Sequence, residues 1–115
     1  MVKKWNIFWT GLDPVQGSEQ AGRRPVLVIS NDISNRNLPV VTILPLSSVN
    51  INSRIYITEI LLKKEISSLP KDSVAMIHQI RTISKNRLRK KCGNILDPVI
   101  RNKINSSIFD FLDLS

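Results

Sequence analysis

The chain has 115 residues, which is the length of one small domain and leaves room for one modest core. Lys and Arg total 17 against 9 Asp and Glu, and the resulting formal charge of +8 suits either a polyanionic partner or a merely solvated basic surface. The single cysteine, Cys92, excludes an intrachain disulfide framework, and no Cys and His residues have the spacing of zinc ligands. No apolar run approaches a membrane span and no signal-peptide pattern is found, so we expect a cytoplasmic protein without metal, cofactor or membrane contact.

The first part of the chain predicts two strands separated by a long loop. Residues 4–10 (KWNIFWT) are aromatic and β-branched, as is typical of a strand, and residues 11–24 have the composition of turns. Residues 25–30 (PVLVIS) form a continuous apolar run typical of a strand covered on both faces, with Pro25 at its first position. Residues 31–38 (NDISNRNL) are predicted to be a further loop.

A hairpin is predicted in the middle of the chain. Residues 40–44 (VVTIL) are β-branched and apolar, and residues 54–60 (RIYITEI) alternate polar and apolar side chains. Residues 45–53 (PLSSVNINS) between them have turn composition. We therefore expect the two strands to pair across a wide loop.

One helical turn and one long strand are predicted next. Residues 61–72 are a mixed stretch expected to hold the turn. Residues 73–83 (SVAMIHQIRTI) predict a single strand that places Gln79 and Arg81 on one face and His78 on the other.

The end of the chain predicts a helix. Asp97 is a favourable N-cap and Pro98 suits the first helical position. Several short strands, long loops and one terminal helix indicate a mainly β fold of a single domain over residues 1–115: a small, strongly bent antiparallel β-barrel capped by helical structure. The apolar residues that recur near helical spacing, and that we expect to cover the sheet, are Val99, Ile100, Ile104, Ile108, Phe111 and Leu112.

Three blocks of sequence resemble the MazF/PemK family of toxin endoribonucleases. They are residues 12–32 (LDPVQGSEQAGRRPVLVISND), 44–48 (LPLSS) and 77–88 (IHQIRTISKNRL). The first block is the specific one, because DP, GSEQ, a glycine, RP and an apolar strand follow in fixed order. The resemblance covers nearly the whole chain and implies a barrel of the MazF/CcdB plasmid-maintenance toxin type, a homodimer, and metal-independent cleavage of single-stranded RNA.

The resemblance also implies a set of site residues. The family's catalytic pair is an arginine directly before the proline and a threonine after the third strand; here these are Arg24 and Ser47, with Glu19 also expected at the active site. Serine thus replaces threonine, and Trp5-Asn6 stands where family members often have Gly-Asp. Further RNA contacts are expected from the loops and from one strand face, although a solvated role is open for the charged and strand residues: Gly17, Ser18, Gln20, Arg23, Ser48, Gln79 and Arg81.

Metal-independent cleavage of RNA explains why these residue types suit the site. Cleaving RNA without a metal uses the 2′-hydroxyl as internal nucleophile, so the protein must align the phosphate and stabilise added negative charge. Arg24 offers a planar fork that stays charged, and a residue before proline is held extended, at the mouth of the strand that Pro25 begins. Gly17 and Gly22 permit unusual loop dihedrals and close approach of a nucleotide. Glu19 is the candidate base for the 2′-hydroxyl proton.

Other chemically suggestive residues have plain structural explanations. A lone histidine in an apolar strand, His78, is expected to be a hydrogen-bonded structural residue. Trp5 and Trp9 are expected to point the same way and to be buried in the core or a dimer interface, with stacking on bases as the alternative. The basic run at residues 87–91 (RLRKK) suits either steering of a polyanion or simple solvation, and Cys92 is expected to be a packing residue.

The function implied by the resemblance is that of a type II toxin. Such a protein is a sequence-specific, ribosome-independent endoribonuclease that cuts single-stranded mRNA to 2′,3′-cyclic phosphate and 5′-hydroxyl ends and arrests growth. Its implied partners are an acidic antitoxin and a second copy of itself, with operator DNA contacted only through the antitoxin complex. Two alternatives remain: a non-catalytic toxin of the same fold that acts on DNA gyrase, as CcdB does, and a catalytically dead RNA-binding regulator. Retention of Arg24 and Ser47 favours RNA cleavage.

Overall fold

An antiparallel sheet of seven strands forms the body of the computed structural model, which describes residues 1–114. Three helices and two short 3₁₀ turns join or cover the strands. The strands are β1 (Asn6–Gly11), β2 (Arg23–Val28), β3 (Val40–Ser48), β4 (Glu59–Leu62), β5 (Ser73–Met76), β6 (Arg81–Ser84) and β7 (Leu88–Asn94). The helices are α1 (Asp32–Asn37), α2 (Lys64–Ser67) and α3 (Pro98–Phe111), and the 3₁₀ turns are Ile77–Gln79 and Lys85–Arg87.

The long strand β3 bends the sheet. The strand order is β4-β5-β3-β2-β1-β7, and β6 pairs with the first half of β3. Beyond Pro45, which pairs with Val26 of β2, the end of β3 pairs with β5 instead. Within the described residues, β4 and β7 at the two ends of this order do not pair with each other. The predicted β topology is confirmed as a strongly bent antiparallel sheet, but the sheet is open rather than closed into a barrel.

Both faces of the central strands are covered, as the apolar run at residues 25–30 predicts. Leu27 belongs to a cluster on one face, whereas Val26 and Val28 belong to a second cluster on the other, and all three are fully buried. This follows from the alternation of side chains along a strand. Helix α3 adds Ile104, also fully buried, to the first cluster and so closes that face.

Residues 31–38, predicted to be a loop, instead contain α1. The Asn31 side chain caps this helix by accepting a hydrogen bond from the Ser34 amide at 2.8 Å. Asn35 is buried, and its amide nitrogen donates to the Ser30 carbonyl at 2.8 Å. Polar side chains that suit turns are equally good caps, so composition alone gave the wrong assignment here.

The predicted hairpin of residues 40–44 with 54–60 is wrong. Strand β5 lies between β3 and β4 in the sheet, and β4 begins only at Glu59. A turn precedes it, in which the Glu59 amide donates to the Tyr56 carbonyl at 2.9 Å and the Glu59 carboxylate accepts from the Tyr56 amide at 2.9 Å. Residues 45–48, predicted to be part of a turn, continue β3 to its end.

The predicted single strand at residues 73–83 is interrupted. The 3₁₀ turn Ile77–Gln79, closed by the Ile80 amide donating to the Ile77 carbonyl at 3.2 Å, separates β5 from β6. The two strands then pair with different parts of β3. The period-two pattern does not carry through the turn, so the predicted shared face is not maintained.

Pro25 also lies elsewhere than predicted. It is the third residue of β2, not the first, and pairs with Trp9 of β1. Pairing of β2 with β3 begins only at Val26, so the proline loses no ladder hydrogen bond on that side.

Helix α3 begins as predicted. The Asp97 carboxylate accepts hydrogen bonds from the amides of Val99 at 2.8 Å and Ile100 at 3.2 Å, and Pro98 is the first helical residue. No helix within residues 1–114 has both the length and the apolar character needed to cross a membrane. Of the predicted apolar face only Ile104 is fully buried, and Val99, Phe111 and Leu112 are exposed. Phe109, which lies outside the predicted face, is exposed as well.

Candidate active site

The loop of residues 12–22, between β1 and β2, has the backbone conformation that its glycines predict. Gly17 has φ +55° and Gly22 has φ +82°, both in the left-handed region that other residues rarely adopt. The Gly22 amide donates to the Asp13 carboxylate at 3.2 Å, which links the two ends of the loop. The chain thereby returns from β1 into β2 with Arg23 and Arg24 as its first two strand residues.

Side chains from the turn before β6 and from β6 hold this loop. The Gln79 amide oxygen accepts from the Gln20 amide at 3.0 Å, and its nitrogen donates to the Ser18 carbonyl at 3.1 Å. Arg81 donates from Nη1 to the Leu12 carbonyl at 3.3 Å. The two residues predicted to line an RNA groove thus contact the loop backbone.

The guanidinium of Arg24 is fixed by acceptors around it. Its Nε donates to the Ala21 carbonyl at 2.9 Å and its Nη1 to the Leu46 carbonyl at 3.1 Å. With the Gln20 amide oriented so that both of its ends are satisfied, its oxygen accepts from Arg24 Nη2 at 2.7 Å. Burial lowers the pKa of Arg24 from its ordinary value by desolvation, yet arginine remains a cation at physiological pH. The group is therefore a positioned positive charge with a donor still free for a ligand.

Sheet geometry brings Ser47 to the same place. The register that pairs Val26 with Pro45 and Leu27 with Leu44, if continued, would set Arg24 opposite Ser47. The ladder stops before that point because the end of β3 pairs with β5, and the Arg24 side chain bridges the opening through the Leu46 carbonyl. Ser47 is half-buried, and within the described residues its hydroxyl has no hydrogen-bond partner.

Arg24 and Ser47 both line an open groove of about 540 Å³, here called the Arg24 groove. Its polar lining residues include three cations and no carboxylate among the residues that the structure describes: Arg23, Arg24, Lys71, Ser47, Ser48 and Ser73. Its apolar lining residues are Trp9, Pro25, Leu46, Leu69, Pro70 and Cys92. A groove of this character favours an anion that also carries an apolar surface.

The predicted site residues divide into two groups. Arg23, Arg24, Ser47 and Ser48 meet in the Arg24 groove. The others do not line it: Gly17, Ser18, Glu19 and Gln20 lie on the loop, and Gln79 and Arg81 lie behind the loop. The Glu19 side chain is exposed and its carboxylate accepts from the Gln16 amide. Its role as a base stays a prediction.

Three residues differ from their predicted surroundings or were left open. His78 is exposed on the 3₁₀ turn, not hydrogen-bonded inside a strand. Trp5 is buried at 8% exposure, as expected, but it precedes β1 with φ +78°, so it does not share a direction with Trp9. Trp9 is 43% exposed and lines the Arg24 groove.

Cys92 packs against the core as predicted, and burial raises the pKa of its thiol.

Residues 69–71 were missed as site residues by sequence reasoning. Leu69, Pro70 and Lys71 form the wall of the Arg24 groove between α2 and β5. In the sequence they show only the composition of a turn, and their approach to Arg24 depends on the pairing of β5 with β3. Among residues 1–114, no group of three or more His, Cys, Asp and Glu side chains is placed to hold a metal ion.

Comparison with known proteins gives a consistent result. The family described as PemK-like, MazF-like toxin of type II toxin-antitoxin system matches residues 3–112. The chain is 37% identical over 108 residues to the endoribonuclease MazF of Staphylococcus saprophyticus, a match that covers 94% of this chain and 88% of that protein.

Two solved structures show the same fold. MazF (Form-I) from Deinococcus radiodurans superposes with a TM-score of 0.80 at 20% identity, covering 97% of this chain and 96% of that one. An endoribonuclease from mycobacterial species, solved in complex with its cognate antitoxin, superposes with a TM-score of 0.79 at 23% identity, covering 100% of this chain and 98% of that one.

Proposed function

The chain belongs to the family of PemK-like, MazF-like toxins of type II toxin-antitoxin systems, and we propose that it is a growth-arresting endoribonuclease. It cleaves single-stranded mRNA at a short sequence motif, independently of the ribosome and of metal ions. The observation that carries this proposal is the Arg24 guanidinium, which three acceptors hold beside the Ser47 backbone in a cationic groove.

In the proposed reaction the 2′-oxygen attacks the adjacent phosphorus and the bond from phosphorus to the 5′-oxygen breaks. The 2′-hydroxyl proton passes to a base, for which Glu19 is the candidate, and the leaving 5′-oxygen takes up a proton. The products carry 2′,3′-cyclic phosphate and 5′-hydroxyl ends. Arg24 and the Ser47 hydroxyl donate to the phosphate oxygens, whose negative charge grows in the transition state. Because Arg24 is already held in place, little reorganisation is needed when the charge develops.

The proposed partners follow from charge and from the family. The formal charge of +8 suits an acidic antitoxin segment that covers the groove, and the mycobacterial endoribonuclease of the same fold is described with its cognate antitoxin. We also propose a homodimer, contact with operator DNA only through the antitoxin complex, and a cytoplasmic location, where mRNA is available.

The test is cleavage of a long single-stranded RNA in EDTA, with the product ends mapped. The wild type is expected to give discrete cuts with cyclic-phosphate ends, and Arg24→Ala to give none. Arg36→Ala, which removes an exposed arginine on α1 outside the groove, is the matched control and should cut normally. A wild-type protein that arrests growth without cutting RNA would contradict the proposal and favour a gyrase-directed toxin, for which the exposed apolar end of α3 is the candidate surface.

A further inference from the structure

Trp9 is an exposed indole among buried neighbours. On β1 the side chains of Ile7, Phe8 and Thr10 are all buried, yet Trp9 is 43% exposed. Trp9 pairs with Pro25 of β2, whereas on the β7 side the register is irregular between Phe8 and Thr10 and gives Trp9 no partner. Because Trp9 also lines the Arg24 groove, its exposed indole offers that groove a flat aromatic surface on which a base can stack.

The part of the Arg24 groove that Trp9 lines combines apolar and cationic side chains. Pro25, its cross-strand partner, lies beside it, and Leu69 and Pro70 supply further wall of the same groove. Arg23 and Lys71 line the groove as well, so positive charge flanks the apolar surface.

We propose that this part of the Arg24 groove is a base-binding subsite, in which a nucleotide next to the scissile phosphate stacks on Trp9. The inference rests on the proposed function, which it deepens by naming a residue that binds substrate. Arg24 and Trp9 line the same groove, so a phosphate bound by Arg24 and a base stacked on the indole would lie in one continuous site. Arg23 and Lys71 neutralise the flanking phosphates.

The Arg24 groove matches a nucleotide in three ways. Aromatic side chains bind bases of single-stranded RNA by stacking, which any base supports. The volume of about 540 Å³ falls within the roughly 300–1,000 Å³ typical of small-ligand sites. The described residues that line the groove bring three cations and no carboxylate, which favours an anionic ligand.

Tryptophan fluorescence tests the subsite without requiring cleavage. The probe is a short single-stranded RNA with 2′-deoxy residues throughout its central part, which cannot be cut by 2′-hydroxyl attack. Stacking on Trp9 should quench the emission of the wild-type protein, and Trp9→Phe, which retains only the buried Trp5, should show no such quenching. Equal quenching of wild type and Trp9→Phe, or quenching by an acidic peptide but not by the oligonucleotide, would overturn the inference.

The kinetics of RNA cleavage by Trp9 variants provide a second test of the subsite. Stacking contributes equally before and during reaction, so Trp9→Ala should raise KM on the order of tenfold with kcat nearly unchanged, and Trp9→Phe should restore most of the loss. Phe109→Ala, which removes an exposed aromatic ring on α3, is the matched control. An unchanged KM for Trp9→Ala in an active enzyme would overturn the subsite and leave the nuclease standing. Trp9-dependent quenching by a protein that never cuts RNA would support the subsite and refute the nuclease.

Discussion

Arg24 donates a hydrogen bond from Nη1 to the main-chain carbonyl of Leu46 at 3.1 Å, which ties the start of β2 to the residue before Ser47. The contact spans the opening where β3 leaves β2 to pair with β5. The backbones of the two proposed catalytic residues are therefore positioned by paired strands at the bend of the sheet, and the loop residues Gln20 and Ala21 complete the contacts that hold the Arg24 guanidinium. A site built on paired strands holds its geometry more tightly than one built on loops.

Ser47→Ala should lower kcat by about 100-fold, because it removes one donor to the developing negative charge. Ser47→Thr keeps the hydroxyl and adds a β-branched side chain with a stiffer rotamer, so it should cleave at least as well as the wild type. Single-turnover cleavage of one defined oligonucleotide measures both. Wild-type activity in Ser47→Ala would remove the hydroxyl from the mechanism.

Gln79→Ala should lower kcat roughly ten- to hundredfold, because it frees the loop that carries Glu19 on both sides of that residue. Limited proteolysis should show faster cutting within residues 12–22. His78→Ala, on the same 3₁₀ turn but exposed, is the control and should behave as wild type. If Gln79→Ala changes the cleaved motif without loosening the loop, Gln79 acts by contacting RNA instead.

Gly93→Ala should destabilise the protein. A Cβ at Gly93 would overlap the Ser67 carbonyl oxygen, so β7 and α2 must move apart. Overpacking of this kind costs about 1–3 kcal/mol, which for a chain of this size lowers Tm by several degrees. Gly11→Ala, where nothing lies within 4 Å and φ is not positive, is the matched control for the same thermal melt. Equal melting temperatures for the two variants would contradict the close approach.

The Cys92 thiol should react slowly with iodoacetamide at pH 8. Burial raises its pKa, so the native thiol stays protonated where a free cysteine, with a pKa of about 8.5, already forms thiolate. Because the thiol of the unfolded chain ionises at lower pH than the native thiol, its contribution to stability is present below about pH 8.5 and is lost as the pH rises further. Alkylation followed by mass measurement, with urea-denatured protein as the reference, checks the rate. A native rate equal to the denatured rate would contradict the burial.

Sequence reasoning succeeded where a local pattern carried the information. The cap at Asp97, the apolar strand after Arg24 and the positive φ of Gly17 and Gly22 were all predictable, because each depends on a residue and its immediate neighbours. The resemblance carried by the fixed order of loop residues was enough to name Arg24 as a candidate, and Arg24 lines the groove.

Non-local pairing explains most of what was missed. Nothing in the local sequence shows that β5 inserts between β3 and β4, so the hairpin was wrong and residues 69–71 were not recognised as a groove wall. The sequence left Trp9 open between the core, a dimer interface and stacking on bases, because a strand pattern gives the parity of a side chain but not which part of the face is covered.

The most direct test of 2′-hydroxyl attack is to remove one 2′-hydroxyl from the substrate. Once the cut site is mapped, an RNA with one 2′-deoxy residue immediately before the scissile phosphate is compared with its all-ribose counterpart. Cleavage at that position is expected to stop while binding, measured by competition, changes little, because Arg24 and Ser47 contact the phosphate and the 2′-hydroxyl is the nucleophile. Continued cleavage at the deoxy-substituted position would contradict the account, since the attacking group would then come from elsewhere.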